Sequence, residues 1–295
     1  MEERKFKIAL FGNVYQEKKS MAVQKIFAVA NELGMDIAIS EGFYKFLQNG
    51  MQIAMPECEI ISDGNFTADI AVCMGGDGTF LDVASLVGHK DIPILGINTG
   101  RLGFLANYSP DDIEMALHSI CNGTYNIESH SVLRMTCDER PLKGNPFALN
   151  EVAILKHDIS SMISIRTSID GEYLTTYNAD GLIIGTPTGS TAYSLSVGGP
   201  IIVPQLDTIC LTPVAPHSLN MRPLVLSGSS TVDLCVESRS GSFLVSFDGR
   251  SQGYPDNIHL HISKAPYSIK VITRQGGSFY STLRTKMMWG ADIRQ

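Results

Sequence analysis

The sequence predicts a two-domain α/β protein: an α/β N-terminal domain with a parallel sheet, then a C-terminal, mostly antiparallel all-β domain. One observation is that strand-like apolar runs alternate with helical patterns up to about residue 125, as strands joined by helical crossovers do. A second is the change beyond that point to alternating Val, Ile, Thr, Tyr and Phe punctuated by turn dipeptides. A third is the apolar stretch Phe279 to Trp289 with Arg284 and Lys286, which predicts a helix returning to the first domain. The expected division is 1–125, with 276–295 returning to it, and 126–275.

In the first domain Phe6 to Phe11 reads as a buried strand. Met21, Val23, Ile26, Phe27, Ala30 and Leu33 have helical spacing, and Gly34 stops the run. Asp36 to Ser40, Asp69 to Met74 and Pro93 to Ile97 are further strands. Ser109-Pro110-Asp111-Asp112 opens a helix that runs to about Cys121: Ser109 caps, proline fits the first turn, and the acids sit at the positive dipole end. In the second domain Met162 to Ile169, Asp170-Gly171 and Glu172 to Tyr177 form a hairpin. Thr231 to Glu237 with Phe243 to Phe247 reads as a second pair, and Ile258 to Ile262 with Ser268 to Thr273 as a third.

At 295 residues the chain can bury sizeable cores. A formal net charge of −7, with no Lys/Arg block, argues against nucleic acid as a partner. The six cysteines form no C-x-x-C pair and mostly lie in apolar runs, so reduced, buried thiols in a cytoplasmic protein are expected. The charged start, Met1-Glu2-Glu3-Arg4-Lys5, is unlike a signal peptide. No apolar run approaches the ~20 residues that span a bilayer, so no membrane partner is expected.

The most informative segment is Gly75-Gly76-Asp77-Gly78-Thr79, on a predicted strand-to-helix turn. Glycines let a ligand approach the backbone, and the helix start offers unpaired N–H groups to an anion. An aspartate in such a turn repels phosphate unless it has a purpose: taking a proton from an attacking hydroxyl, or holding a metal. The structural alternative is a partial cap of the following helix. Asn98 to Leu105 is a second glycine-punctuated loop after a strand, where open α/β sheets place ligands. The spacing of this second loop does not fit a G-x-G-x-x-G fingerprint, and the chain has no Walker-type loop.

Asn150-Glu151 sets an amide beside a carboxylate in a strand-like run. Asn178 to Pro200 is dense in hydroxyls and glycine, with Asp180-Gly181 as a turn before a buried strand. Its hydroxyls and free N–H groups suit ribose, amide or phosphate oxygens, and Tyr193 can stack on a planar base. Pro213 to Pro223 is a rigid loop holding His217 and Arg222, and Asp248-Gly249-Arg250 reads as a hairpin turn. His259 and His261 share a strand face without a third ligand, so they read as structural.

Taken in order, Gly75 to Thr79, Asn98-Thr99-Gly100 with Leu102-Gly103-Phe104, Asn150-Glu151, Asp180-Gly181, Thr186-Pro187-Thr188-Gly189-Ser190-Thr191-Ala192-Tyr193, Pro216-His217 and Asp248-Gly249 resemble the NAD kinase family. The glycine turn alone is shared with lipid kinases; the 186–193 segment decides for NAD kinases. The resemblance implies phosphoryl transfer from ATP, or from polyphosphate, to the 2′-hydroxyl of the adenosine ribose of NAD. It implies Asp77 as general base, with Gly75, Gly76, Gly78, Thr79, Arg101 and Phe104 on phosphate or nucleotide. Asn150 and Thr188 would bond the adenine, with Glu151 near its ribose. Thr191, Ala192 and Tyr193 would line the adenine pocket. Asp180, Ser196 and Ala215 would face the nicotinamide half, with His217 and Asp248 also in the dinucleotide site. Homodimers or homotetramers are implied, and Mg²⁺ or another divalent metal is expected on the donor phosphates, because these motifs hold few cations. A lipid kinase sharing the turn and a non-catalytic dinucleotide sensor are the rival readings.

Overall fold

The computed structural model describes residues 5–12, 20–100, 103–158, 161–274 and 276–290. The chain forms two compact units, Met1–Ser129 with Ile269–Gln295, and His130–Ser268.

The first unit contains β1 (Lys7–Gly12), α1 (Ser20–Glu32), β2 (Asp36–Ser40), α2 (Glu41–Lys45), β3 (Glu59–Ile61), β4 (Ile70–Gly75), α3 (Asp77–Val87), β5 (Ile94–Asn98) and α4 (Ile113–Cys121). Its sheet runs β3-β2-β1-β4-β5, and every neighbouring pair is parallel. Both sheet faces are covered, which is why β1, β4 and β5 read as unbroken apolar runs. Ile8, Leu10, Val72, Met74, Leu95 and Ile97 pack with Val23, Ile26, Leu117 and Ile120 from the helices. Burying each such side chain contributes roughly 1.5–3 kcal/mol. The strand order reverses between β1 and β4, so the turn after β4 lies at the carboxyl edge where such sheets bind ligands. At the start of α4 the reach-back is reciprocal to the expected cap: Asp112 Oδ2 accepts from the Ser109 N–H at 2.9 Å and from its hydroxyl at 2.7 Å.

The second unit contains the rest of β6 (Asn126–Cys137), then β7 (Phe147–Ala148), β8 (Glu151–Lys156), β9 (Ile163–Ile169), β10 (Glu172–Ala179), β11 (Gly181–Gly185), α5 (Tyr193–Ser196), β12 (Thr208–Val214), β13 (Leu224–Ser227), β14 (Val232–Ser238), β15 (Ser242–Phe247), β16 (Arg250–Pro255) and the first part of β17 (His259–Thr273). One antiparallel sheet runs β13-β12-β11-β8-β15-β16, and the other β10-β9-β14-β17. Val152, Ile154, Leu182, Ile184 and Phe247 of the first share a core with Ile165, Val232, Leu234, Val236 and Leu260 of the second. The β9–β10 hairpin turns on Asp170 (φ 51°) and Gly171 (φ 84°), the two positive φ values that a right-twisted two-residue turn requires.

Three local expectations are corrected. β14 and β15 do not pair: β14 joins β9 and β17, whereas β15 joins β8 and β16. The short connection between them carries the chain from one sheet to the other. The runs expected at Ile258 to Ile262 and Ser268 to Thr273 are no hairpin: His259 to Thr273 is β17, a single 15-residue strand. Its residues 259–262 pair antiparallel with β14, and its last residues belong to the first unit, where Val271 pairs parallel with Ile94 of β5. Asp180-Gly181 does not reverse the chain either: the Asp180 N–H bonds Val214 O, its carbonyl accepts from Lys156 N–H, and β11 follows directly. The cysteines are all free, but only Cys73 and Cys210 are buried, and Cys121 at the end of α4 is exposed. The last helix, α6 (Phe279–Met287), belongs to the first unit and starts at Ser278, whose hydroxyl accepts from the Ser281 N–H.

Candidate active site

In the first unit β4 ends on Gly75, Gly76 is the residue before α3, and Asp77 is the first residue of that helix. Phe80, Val83, Ala84 and Val87 form the buried face that fixes the helix on the sheet. The first helical N–H groups lack intrahelical acceptors. A Cβ on Gly75 would collide with Thr79, so that glycine serves packing. Gly76 and Gly78 are different: among the described residues, a Cβ on either would meet no neighbour from elsewhere in the chain within 4 Å. Crowding by the described residues therefore does not explain the glycines there.

Asp77 does not cap its own helix. Its Oδ2 accepts from the Phe104 N–H at 2.8 Å, and its Oδ1 from the N–H groups of Leu105 at 3.1 Å and Ala106 at 3.3 Å. The two glycine loops are thus tied together by one carboxylate. Gly103 makes this possible, because a Cβ there would strike Asp77 Oδ1. Lys286 of α6 approaches Asp77 Oδ2 at 3.4 Å and lies over the Phe104 ring, 4.3 Å from its centroid. Arg101, expected on the nucleotide, lies outside the described residues.

In the second unit the 186–196 segment folds onto the start of β8. Thr186 donates its hydroxyl to Leu149 O at 2.6 Å and its N–H to Asn150 O at 2.8 Å, and Gly189 N–H reaches Thr186 Oγ1 at 3.1 Å. Gly189 is obligatory, since any Cβ would enter the Asn150 backbone. Thr188 Oγ1 lies 2.8 Å from His130 Nδ1, Thr191 donates to Thr188 O at 3.4 Å, and Ser196 donates to Tyr193 O at 2.8 Å. Ala192 separates the two short helical turns, and the Tyr193 ring remains partly exposed.

Asp248 holds the strand that Asn150 and Glu151 begin. Its carboxylate accepts from the N–H groups of Leu149 at 2.7 Å, Asn150 at 2.8 Å and Glu151 at 3.1 Å. Three of about four lone-pair positions on this carboxylate thus serve the scaffold. Asn150 Oδ1 and Glu151 Oε2 are buried without a hydrogen-bond partner among the described residues. Leaving such atoms unsatisfied costs about 1–3 kcal/mol each, a cost that a polar ligand relieves. Burial, and then the neighbouring Asp248, push the Glu151 carboxyl up to about 8, against one N–H bond from Tyr193. Burial also raises Asp248, opposed by its three N–H bonds and Arg250. With fewer opposing hydrogen bonds, Glu151 is the carboxyl of this pair pushed towards its neutral form. Asp180 pairs with Lys156 at 2.8 Å, and the exposed Ala215 sits at φ 44°, a region non-glycine residues rarely adopt. His217 is exposed, its N–H bound to Asn178 O.

His130, Lys156 and Lys286 are not legible as partners in the sequence, since each meets its motif residue across a long sequence separation. Among the described residues no group of three or more His, Cys, Asp and Glu side chains could hold a metal ion. His259 and His261 instead have carboxylate partners, Glu139 at 2.7 Å for the first, Asp233 at 2.6 Å and Asp138 at 3.0 Å for the second.

A carboxylate anchored at a glycine-rich strand-to-helix turn is an arrangement that suits a phosphotransferase. Two family models give it a narrower place: the ATP-NAD kinase N-terminal domain matches residues 8–125, and the ATP-NAD kinase C-terminal domain residues 149–274. An NAD kinase of Bacteroides fragilis is 54% identical over 288 residues, covering 98% of this chain and 99% of that one. One from Porphyromonas gingivalis is 40% identical with the same coverage. The chain belongs to the NAD kinase family. Its fold matches the crystal structure of an NAD kinase from Archaeoglobus fulgidus in complex with ATP, with TM-score 0.74, 25% identity, and 96% and 99% of the two chains covered. It also matches yeast NADH kinase complexed with NADH, with TM-score 0.89, 21% identity, and 99% and 90% covered.

Proposed function

We propose that this protein transfers the terminal phosphoryl group of ATP to the 2′-hydroxyl of the adenosine ribose of NAD, making NADP. Family membership along both units supports the activity. The observation that carries the site assignment is the pair of buried, unpartnered atoms Asn150 Oδ1 and Glu151 Oε2 beside the 186–196 segment. Asn150 and Thr188 take the adenine, and Thr191, Ala192 and Tyr193 line its pocket. Glu151 serves the ribose; protonated, it can donate a hydrogen bond where a carboxylate could only accept. Asp180, Ser196, Ala215 and His217 face the nicotinamide half. Asp248 acts at one remove, by fixing the backbone of Asn150 and Glu151.

Asp77 accepts the hydroxyl proton as attack proceeds, a contribution of ~10²–10⁴-fold. The rest of the barrier falls by alignment and charge neutralisation, with Gly76 and Gly78 leaving room for phosphate oxygens. The described residues do not form a resident metal site, and Asp77 is already engaged by three N–H groups. Mg²⁺ or another divalent metal would supply charge neutralisation on the donor phosphates.

The test is to incubate purified protein with Mg·ATP and NAD, NADH or diacylglycerol, repeat with polyphosphate as donor, and measure NADP and NADPH by a coupled dehydrogenase assay. NADP formation from NAD is the expected result. Phosphorylation of the lipid alone, or NAD binding without turnover on either donor, overturns the proposal. A cytoplasmic homodimer or homotetramer is the assembly the family resemblance favours, and light scattering of the eluted protein tests its size.

A further inference from the structure

The geometry points to Lys286 as an exchangeable cation of the transfer step, which it leaves Asp77 to perform while neutralising the transferring phosphoryl group. This rests on the function proposed above. An ionised carboxylate offers about four lone-pair positions. At Asp77 the N–H groups of Leu105 and Ala106 occupy Oδ1, the Phe104 N–H takes one position on Oδ2, and Lys286 holds the fourth. A hydroxyl handing its proton to Asp77 needs that fourth position. The Lys286 contact is the longest of the four, at 3.4 Å against 2.8 to 3.3 Å, and it alone comes from a flexible side chain. Lys286 therefore yields.

Where the ammonium goes is also constrained. Its Nζ already lies over the Phe104 ring, whose face attracts a cation and keeps it close once the carboxylate releases it. The side chains of Lys286 and Asp77 are 27% and 31% exposed, so water screens the pair only in part. The anion arriving at the glycine turn is the donor phosphate, drawn to the amides at the start of α3. In the step, the 2′-oxygen bonds the γ-phosphorus as the bond from that phosphorus to the β–γ bridging oxygen breaks. The proton passes to Asp77 Oδ2, and ADP leaves with the bridging electron pair. Lys286 keeps its protons throughout and moves its charge from the base to the phosphoryl oxygens.

Steady-state kinetics of Lys286→Met, Lys286→Arg, Lys286→Ala and Arg284→Met, with thermal melts of each, test this. Lys286→Met is expected to lower kcat roughly 10²-fold and raise KM for ATP, while KM for NAD stays within about threefold. Lys286→Arg keeps most of the rate, and ethylammonium in solution restores part of the turnover of Lys286→Ala. Arg284→Met, exposed on the same helix, leaves the rate unchanged. If Lys286→Met turns over like the wild type, or if neither arginine nor ethylammonium restores a lost rate, the residue merely anchors α6 and the inference fails. A wild type that forms no NADP fails the function itself, which is a distinct result.

Discussion

At the scale of single residues, the main constraint is how little freedom Asp77 has. Gly103→Ala places a methyl group against Asp77 Oδ1, so the carboxylate must turn away from the 104–106 amides. The expected outcome is a fall in kcat of about tenfold or more, since small misplacements of a reacting group are costly. Steady-state assays check it, and an unchanged rate would mean the three amide bonds do not set the base. Asp77→Asn should cut turnover by ~10²–10⁴-fold while calorimetry finds NAD affinity within several-fold. Parallel loss of binding would make the residue structural. Glu151 gives a prediction in pH. Its folded pKa, about 8, stands above its ordinary value, so the stability its neutral form contributes is full below about 4.5 and is lost as pH rises through 8. Denaturant melts should show wild-type stability falling across that window by roughly 3–5 kcal/mol more than that of Glu151→Gln. Equal pH slopes for the two proteins would show that Glu151 is not held neutral.

Secondary-structure elements carry their own predictions. His261, on β17, stands between Asp233 of β14 and Asp138, and these hydrogen bonds raise its pKa above 6.5. The stability this adds is complete below about 6.5 and is lost as pH rises through the raised value. An NMR titration should find that Asp233→Asn moves the His261 midpoint downward; an unmoved midpoint would place the cause elsewhere. For α6, Ser278→Ala removes the cap and costs about 1 kcal/mol, read as faster amide exchange in that helix alone. Elements with a local cause were legible in the sequence. The Asp170-Gly171 hairpin is one, because its two left-handed residues sit inside the turn itself, and α1 is another, because its apolar stripe recurs every three or four residues. Partner choice was not legible. β14 and β15 look like a hairpin because they are neighbours in sequence, yet what divides them is which sheet offers an apolar face, a long-range fact. Pro266 within β17 reads locally as a break, although the strand runs through it.

For the whole molecule, the motifs that carry the family resemblance were readable because each is a contiguous string, and Asp77, Asn150, Glu151 and the 186–193 segment needed no tertiary information to be found. Their supporting residues did: Lys286 meets Asp77 from 209 positions away. The same long return shapes how the chain is completed. The first unit needs Ile269 to Thr273 alongside β5, and α6 after it, but residues 130–268 emerge from the ribosome in between. At ordinary elongation rates that interval lasts roughly ten seconds. Throughout it Ile94 of β5 lacks its Val271 partner and Asp77 lacks its ammonium, so a nascent or prematurely terminated polypeptide can own every signature string and still be unable to turn over.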